Sequence, residues 1–107
     1  MKLRHLETFI IVADELHFGR AAARLHVAQP AVSQTISGLE DSLGVELFDR
    51  TRRQVRLTEA GERFLEDTRR ILGDLEQAKH SARRLAAGER GQLRIGFTVA
   101  CAMSRIP

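Results

Sequence analysis

Polar side chains recur at helical spacing between residues 29 and 37. Gln29 and Ser33 are four residues apart, so they stack on one face of a helix, and Gln34 and Ser37 widen that face. A glutamine amide donates and accepts hydrogen bonds at once, which matches the edge of adenine in a major groove. The pattern therefore favours DNA recognition. An ordinary solvated helix face is the alternative when these residues are considered alone.

Arginine is concentrated in a second segment, from Arg50 to Arg56, which holds four Arg and no acidic residue. Arg52 and Arg53 fall at the tip of a predicted hairpin, where guanidinium groups would contact phosphates or the minor groove. In isolation such a cluster is more often a solvated charged loop. Arg50 has its own alternative, which is a structural ion pair with an acid at the base of the hairpin.

The apolar spacing predicts the helices that position these two groups. Periods of three and four residues favour a helix over 3–16, a second from about 19 to 25, and a third that starts near Gln29. Pro30 suits the first turn of the third helix, where an amide has no partner, and Gly44 ends that helix.

A wing is predicted directly after the third helix. Residues 45–50 and 54–57 form two short strands, joined by Thr51-Arg52-Arg53. The expected fold is thus mostly α: a winged helix-turn-helix of three helices and a two-stranded wing over residues 1–58, followed by a long dimerisation helix.

The long helix is predicted over residues 59–87, with Thr58 as its N-cap. About 29 helical residues form a rod of roughly 43 Å, too long for one small core to cover. Its apolar residues follow a heptad pattern, which favours packing against a partner helix. The first turns are expected to pack on their own domain, whereas nothing within the chain is expected to cover the part beyond Ile71. The predicted dimerisation residues are Phe64, Leu65, Thr68, Ile71, Leu72, Leu75, Ala78, Ala82 and Leu85.

Residues 88–107 have a different pattern. Gly88-Glu89-Arg90-Gly91 is typical of a hinge, and apolar residues then alternate with polar ones from Leu93 to Val99, as in a strand. A single strand with no neighbour is not a stable domain. We therefore expect residues 88–107 to be a hinge and the first strand of a truncated further domain.

The composition argues against several other kinds of protein. The single Cys101 allows no internal disulfide and suits a reducing cytoplasm. Neither a signal peptide nor a bilayer-length apolar run is evident, so no membrane association is expected. The four His have no metal-ligand spacing, and neither a nucleophile–base pair nor a phosphate-binding Gly loop is found. We expect no catalysis, no metal and no cofactor.

A winged helix that binds another protein is the alternative function. It predicts a more apolar exposed face on the third helix than this sequence has.

Several motifs follow one another in a recognisable order: Arg20-Ala21-Ala22-x-x-Leu25, Gln29-Pro30-Ala31-Val32-Ser33, Leu39-Glu40-x-x-Leu43-Gly44, Leu47-Phe48-x-Arg50, Arg53 and Leu57-Thr58-x-Ala60-Gly61. Together they resemble the DNA-binding domain of LysR-type transcriptional regulators. The resemblance continues through the long helix, which in that family is the dimerising linker, to Gly91-x-Leu93-Arg94-Ile95-Gly96, which resembles the first strand of the effector domain.

The resemblance implies a homodimer on double-stranded DNA with an inverted-repeat operator, and a higher oligomer for the full-length protein. It also implies that a missing effector domain binds a small-molecule inducer. Ala28 and Gln34 depart from the family, which commonly has Ser and Arg there, so a helix cap is lost and the preferred bases change. The expected DNA contacts are Arg20, Gln29, Pro30, Ala31, Ser33, Gln34, Ser37, Arg50, Arg52 and Arg53.

Overall fold

The computed structural model describes residues 1–51 and 53–89. Arg52 and the strand predicted over residues 93–99 lie outside the described residues. The predicted winged helix-turn-helix is confirmed, although the two antiparallel strands are shorter than expected because only Phe48 pairs with Leu57 and Asp49 with Arg56. The elements are α1 (Leu3–Glu15), α2 (Phe18–Leu25), α3 (Gln29–Leu43), β1 (Phe48–Asp49), β2 (Arg56–Leu57) and α4 (Glu59–Glu89).

The first three helices end in left-handed residues. Gly44 ends α3 with a φ of 74°, and its N–H donates to the carbonyl oxygen of Glu40 at 2.8 Å. Leu16 and His26 adopt the same conformation after α1 and α2, with φ of 50° and 59°. Side chains other than glycine rarely adopt this conformation. A backbone hydrogen bond closes each of the two turns, from the N–H of Leu16 to the carbonyl oxygen of Val12 at 2.7 Å and from that of His26 to Ala23 at 3.2 Å. Connections of two or three residues then link α1, α2 and α3.

The core is aliphatic and phenylalanine-rich. Phe9 is fully buried, and its ring lies 5.5 Å from that of Phe48 and 5.1 Å from that of Phe64. α1, the wing and α4 therefore share one aromatic cluster. Ala21 and Ala22 are buried, so α2 approaches its neighbours closely, as predicted. This core fixes the position of α3 relative to the wing.

The wing is joined to the start of α4 through Thr58. Its hydroxyl accepts a hydrogen bond of 2.9 Å from the N–H of Gly61, which confirms the predicted N-cap, and donates one of 2.7 Å to the carbonyl of Glu46. The Thr58 N–H donates to the carbonyl of Leu47 at 3.0 Å. A Cβ atom at Gly61 would overlap that same Leu47 carbonyl oxygen. Only glycine allows this approach of α4 to the wing.

The chain divides into two compact units, residues 1–72 and 73–107, so the first unit includes the beginning of α4. Within it, Phe64, Leu65 and Leu72 pack against the core. Thr68 is fully buried, and its hydroxyl donates to the carbonyls of Phe64 and Leu65. Its assignment to a dimer seam therefore needs correction, because the chain's own domain covers this side chain. Ile71, by contrast, is 44% exposed.

The described part of the second unit is the remainder of α4. Leu75 is half-buried, and Leu85 is 43% exposed. Ala78 and Ala82 are exposed as well. These four residues keep the heptad spacing that the sequence shows.

Candidate nucleic-acid interface

α3 buries one face and exposes the other. Val32, Ile36 and Leu39 lie in the core, at 2% exposure or less. The predicted recognition residues occupy the opposite face, where Ser33 is half-buried and the others are exposed: Gln29, Pro30, Ala31, Gln34 and Ser37. The separation of apolar and polar faces follows from the spacing of the apolar residues.

The N-terminus of α3 carries no side-chain cap. Ala28 occupies the N-cap position, where it forms no side-chain hydrogen bond, and Pro30 lies in the first turn. The loss of the cap predicted from the sequence is therefore confirmed. The free amides of a helix N-terminus carry partial positive charge, which favours an anion such as a phosphate.

The N-terminus of α2 is capped by histidine. The Nδ1 atom of His17 accepts a hydrogen bond of 2.9 Å from the N–H of Arg20. The side chain of Arg20 turns back to Glu15, where its Nε lies 3.2 Å from Oε1 and its Nη2 3.2 Å from the carbonyl oxygen. Arg24 binds the other carboxylate oxygen of Glu15 at 3.1 Å. The Arg20 side chain is 62% exposed, so its ion pair with Glu15 is weak. A phosphate can therefore compete with Glu15 for the Arg20 guanidinium.

A groove of about 350 Å³ runs between the helix-turn-helix and the wing. It brings four of the predicted DNA contacts together, with Gln29 and Ser33 on the helical side and Arg50 and Arg53 on the wing side. The described residues that line it are Leu16, His17, Phe18, Gly19, Gln29, Ser33, Arg50, Arg53, Gln54 and Val55.

Gln34 lies on a second, separate depression of about 470 Å³ between α3 and the start of α1. Ala31 also lines this depression, together with Met1 and His5. The polar face of α3 is thus divided, with Gln29 and Ser33 facing the wing and Gln34 facing the N-terminus of α1. The sequence spacing predicted the shared face but not this division.

Arg50 contacts Glu40 and Phe18 among the residues that the structure describes. Its Nη2 lies 3.4 Å from Oε1 of Glu40, and its guanidinium carbon lies 4.7 Å from the centre of the Phe18 ring. The structural ion pair considered from the sequence therefore exists, but its acid is on α3 and not in the wing. The Arg50 side chain remains 39% exposed, and it lines the groove.

Neither metal binding nor a membrane span is indicated by the described residues. Over residues 1–51 and 53–89, no group of three or more His, Cys, Asp or Glu could hold a metal ion. In the same part of the chain, no helix combines the length and apolarity that crossing a membrane requires.

The sequence is similar to known transcriptional regulators. YnfL of Escherichia coli K12, an uncharacterised HTH-type transcriptional regulator, is 55% identical over 98 residues, which cover 92% of this chain and 33% of YnfL. The HTH-type transcriptional regulator AlsR of Bacillus subtilis 168 is 50% identical over all 107 residues, or 35% of its own length. The chain spans about a third of the length of these curated relatives.

Solved structures match the fold. A crystal structure of BenM_DBD with catB site 1 DNA has a TM-score of 0.78 and 38% identity, and the match covers 82% of this chain and 98% of that one. Full-length CbnR complexed with its target DNA has a TM-score of 0.75 and 43% identity, over 82% of this chain and 31% of that one.

The family model described as "Bacterial regulatory helix-turn-helix protein, lysR family" matches residues 3–62, from the first residue of α1 to the first turn of α4. The match covers more than half of the chain and includes both sides of the groove. The chain therefore belongs to the LysR family of bacterial regulatory helix-turn-helix proteins, whose members are transcriptional regulators and not enzymes.

Proposed function

We propose that this chain is the sequence-specific DNA-binding part of a LysR-type transcriptional regulator. The observation that carries the proposal is the groove in which Gln29 and Ser33 of α3 face Arg50 and Arg53 of the wing. Side chains that pair with base edges and side chains that bind phosphates lie on its two sides. DNA complexes of BenM_DBD and CbnR, at 38% and 43% identity, support the same activity here.

The N-terminal turns of α3 enter the major groove in this proposal. Gln29, Ser33 and Gln34 read bases, while Pro30 packs against a thymine methyl or the sugar backbone. The wing arginines bind phosphates or the adjacent minor groove, and so contribute mostly affinity that is independent of sequence. Arg20, Ala31 and Ser37 complete the contact surface. A protein with this role would act in the cytoplasm, where the bacterial chromosome lies.

Exposed apolar side chains on α4 support a dimer that forms through this helix. Ile71 and Leu85 are exposed, and they occupy the same heptad position. Two copies of α4 packed antiparallel would bury them with Leu75, Ala78 and Ala82. A two-fold dimer matches an inverted repeat, with half-sites in successive major grooves on one side of the duplex.

The roles that we assign to the successive segments of the chain rest on its membership of the LysR family. Residues 1–58 act as the DNA-binding domain, 59–87 as the linker and dimerisation helix, and 88–107 as the hinge and first strand of an effector domain. The relatives are about three times as long as this chain. The rest of a protein of that length would bind a small-molecule inducer and assemble the higher oligomer.

Selection of bound duplexes from a random DNA pool tests the function. The wild-type chain should enrich an interrupted inverted repeat with an A·T pair in each half-site, since glutamine matches adenine. Gln34→Arg should shift that pair toward G·C, with a discrimination of about 1–3 kcal/mol. Gln77→Arg, the same substitution at an exposed position of α4, is the control and should select the wild-type sequence. No enrichment by the wild-type chain would contradict the proposed function. Identical sites for Gln34→Arg would remove Gln34 from base reading.

A further inference from the structure

Glu40 connects α3 to the wing through both of its carboxylate oxygens. Oε2 accepts hydrogen bonds from the backbone N–H groups of Leu47 at 2.8 Å and Phe48 at 3.2 Å. Oε1 lies 3.4 Å from Nη2 of Arg50. The Glu40 side chain is only 15% exposed, so it lies beneath the surface between the two elements. A single carboxylate thus holds the first strand of the wing and its first arginine against the recognition helix.

Arg50 is confined on two sides as a result. The Glu40 carboxylate holds one edge of its guanidinium, and the Phe18 ring lies beneath the guanidinium plane, with 4.7 Å between the guanidinium carbon and the ring centre. Phe18 is itself fixed by Phe48, whose ring lies edge-on at 5.9 Å. Ion pairs and cation–π contacts that are partly shielded from water restrict a long side chain more than exposed ones do. Arg50 also lines the groove to which Gln29 and Ser33 contribute.

A carboxylate directly behind a DNA-binding surface has an electrostatic disadvantage. Its negative charge repels phosphates and partly neutralises the arginine that would attract them. Phosphate contacts set the register of a protein on the duplex, and a register error misplaces every base contact. A fixed arginine therefore improves discrimination between sequences even when its carboxylate partner lowers the affinity for DNA in general.

We propose that Glu40 is a positioning residue for sequence discrimination, which acts by fixing Arg50 relative to the base-reading residues of α3. This inference rests on the proposed DNA-binding function. Glu40 itself touches no DNA in this arrangement. Its effect passes through Arg50, so it should disappear when Arg50 is absent.

A double-mutant cycle between Glu40→Gln and Arg50→Ala tests the inference in the 107-residue chain. Each variant is titrated with a duplex selected from the random pool and with a random-sequence duplex, and the ratio of the two affinities is the readout. The side-chain carbonyl of the introduced glutamine can still accept the Leu47 and Phe48 amides, but Arg50 loses its charged acceptor. The ratio should fall about tenfold in the wild-type background, within the range of coupling between directly paired residues. It should fall less than about twofold in the Arg50→Ala background, where the coupled partner is missing.

Glu46→Gln is the matched control, because it removes an exposed carboxylate two residues before Phe48. Both glutamine variants should bind random DNA somewhat more tightly, since each removes one negative charge. Only Glu40→Gln should lower the ratio. Thermal unfolding of each variant checks the fold, and base contacts from α3 keep the ratio measurable without Arg50.

Three results would overturn the inference and leave the proposed function intact. An unchanged ratio in Glu40→Gln would show that the pairing has no effect on discrimination. An equal loss in the Arg50→Ala background would show that Glu40 acts through the wing amides or the fold. An equal loss in Glu46→Gln would show a general charge effect. A wild-type chain that binds selected and random duplexes equally would overturn the proposed function itself, and this inference with it.

Discussion

The imidazole of His17 and the backbone N–H of Arg20 form a hydrogen bond of 2.9 Å that caps α2. The same histidine lines the groove between α2 and the wing. The residue that stabilises the start of α2 therefore also borders the surface proposed to meet DNA.

Removal of this cap should destabilise the domain. His17→Ala should lower the free energy of unfolding by about 1 kcal/mol, because the Arg20 amide loses its partner. His17→Asn should retain most of the stability, since asparagine is among the preferred N-cap residues. Urea unfolding followed by circular dichroism measures both. Equal losses for the two variants would show that the imidazole contributes by packing and not by capping.

Addition of a cap to α3 should have the opposite effect. Ala28→Ser places a hydroxyl where α3 begins without a side-chain hydrogen bond, and should raise the free energy of unfolding by about 1 kcal/mol. Ala23→Ser, at an exposed position within α2, is the control and should slightly lower stability. If Ala28→Ser instead lowered the free energy of unfolding as the control does, or left it unchanged, the α3 amides would already be satisfied by solvent.

Glycine should be required at position 61 and dispensable at position 38. Gly61→Ala forces a Cβ atom into the Leu47 carbonyl and should cost about 3 kcal/mol or more. At Gly38, within α3, an added Cβ atom would have no neighbouring atom within 4 Å. Gly38→Ala should therefore stabilise the domain by about 1 kcal/mol, because alanine favours a helix more than glycine does. Both residues belong to the first compact unit, so one unfolding transition compares them. A small cost at position 61 would show that α4 shifts away from the wing easily.

Leu75→Arg should weaken dimerisation. Leu75 occupies the proposed seam, and an unpaired charge buried there should cost several kcal/mol per dimer. Gln77→Arg introduces the same charge on the outer face of the heptad and should leave the association unchanged. Analytical ultracentrifugation over a range of concentrations measures the dissociation constant. A monomer–dimer balance that is unaffected by Leu75→Arg would place the interface elsewhere.

Arg53→Ala should weaken binding to selected and random DNA alike. If Arg53 neutralises one phosphate, the slope of log affinity against log salt should become shallower by about one unit. Arg84→Ala, which removes an exposed arginine from α4, should leave the slope unchanged. A loss confined to the selected duplex, with the salt slope preserved, would indicate that Arg53 reads a base.

Local patterns predicted most of the fold correctly. Pro30 and Gly44 delimit α3, and Thr58 caps α4, because each satisfies a backbone requirement that depends on neighbouring residues alone. The heptad pattern was less informative at Thr68. The same spacing serves a helix that packs on its own domain and one that packs on a second chain, and the structure buries this side chain within the chain.

Long-range contacts explain what the sequence did not reveal about the site. Glu40 lies in a family motif, but its bonds to Leu47, Phe48 and Arg50 depend on how the wing folds back onto α3. Histidine is not among the usual N-cap residues, so the cap that His17 provides to α2 is not predictable from its residue type. The third helix has two acids close to the wing, Glu40 and Asp41, and only Glu40 follows the buried Ile36 by four residues, which places it toward the core side of the helix.

The bonds at the base of the wing also determine how this domain can be recombined with its relatives. The carboxylate of Glu40 holds Leu47, while Thr58 and Gly61 hold the same short segment from the side of α4. A chimera with a crossover between α3 and the wing would separate partners that must match in length and charge. Exchange of the exposed side chains of α3 keeps these partners together, so it is the way to alter the base preference that we propose for them without grafting the helix.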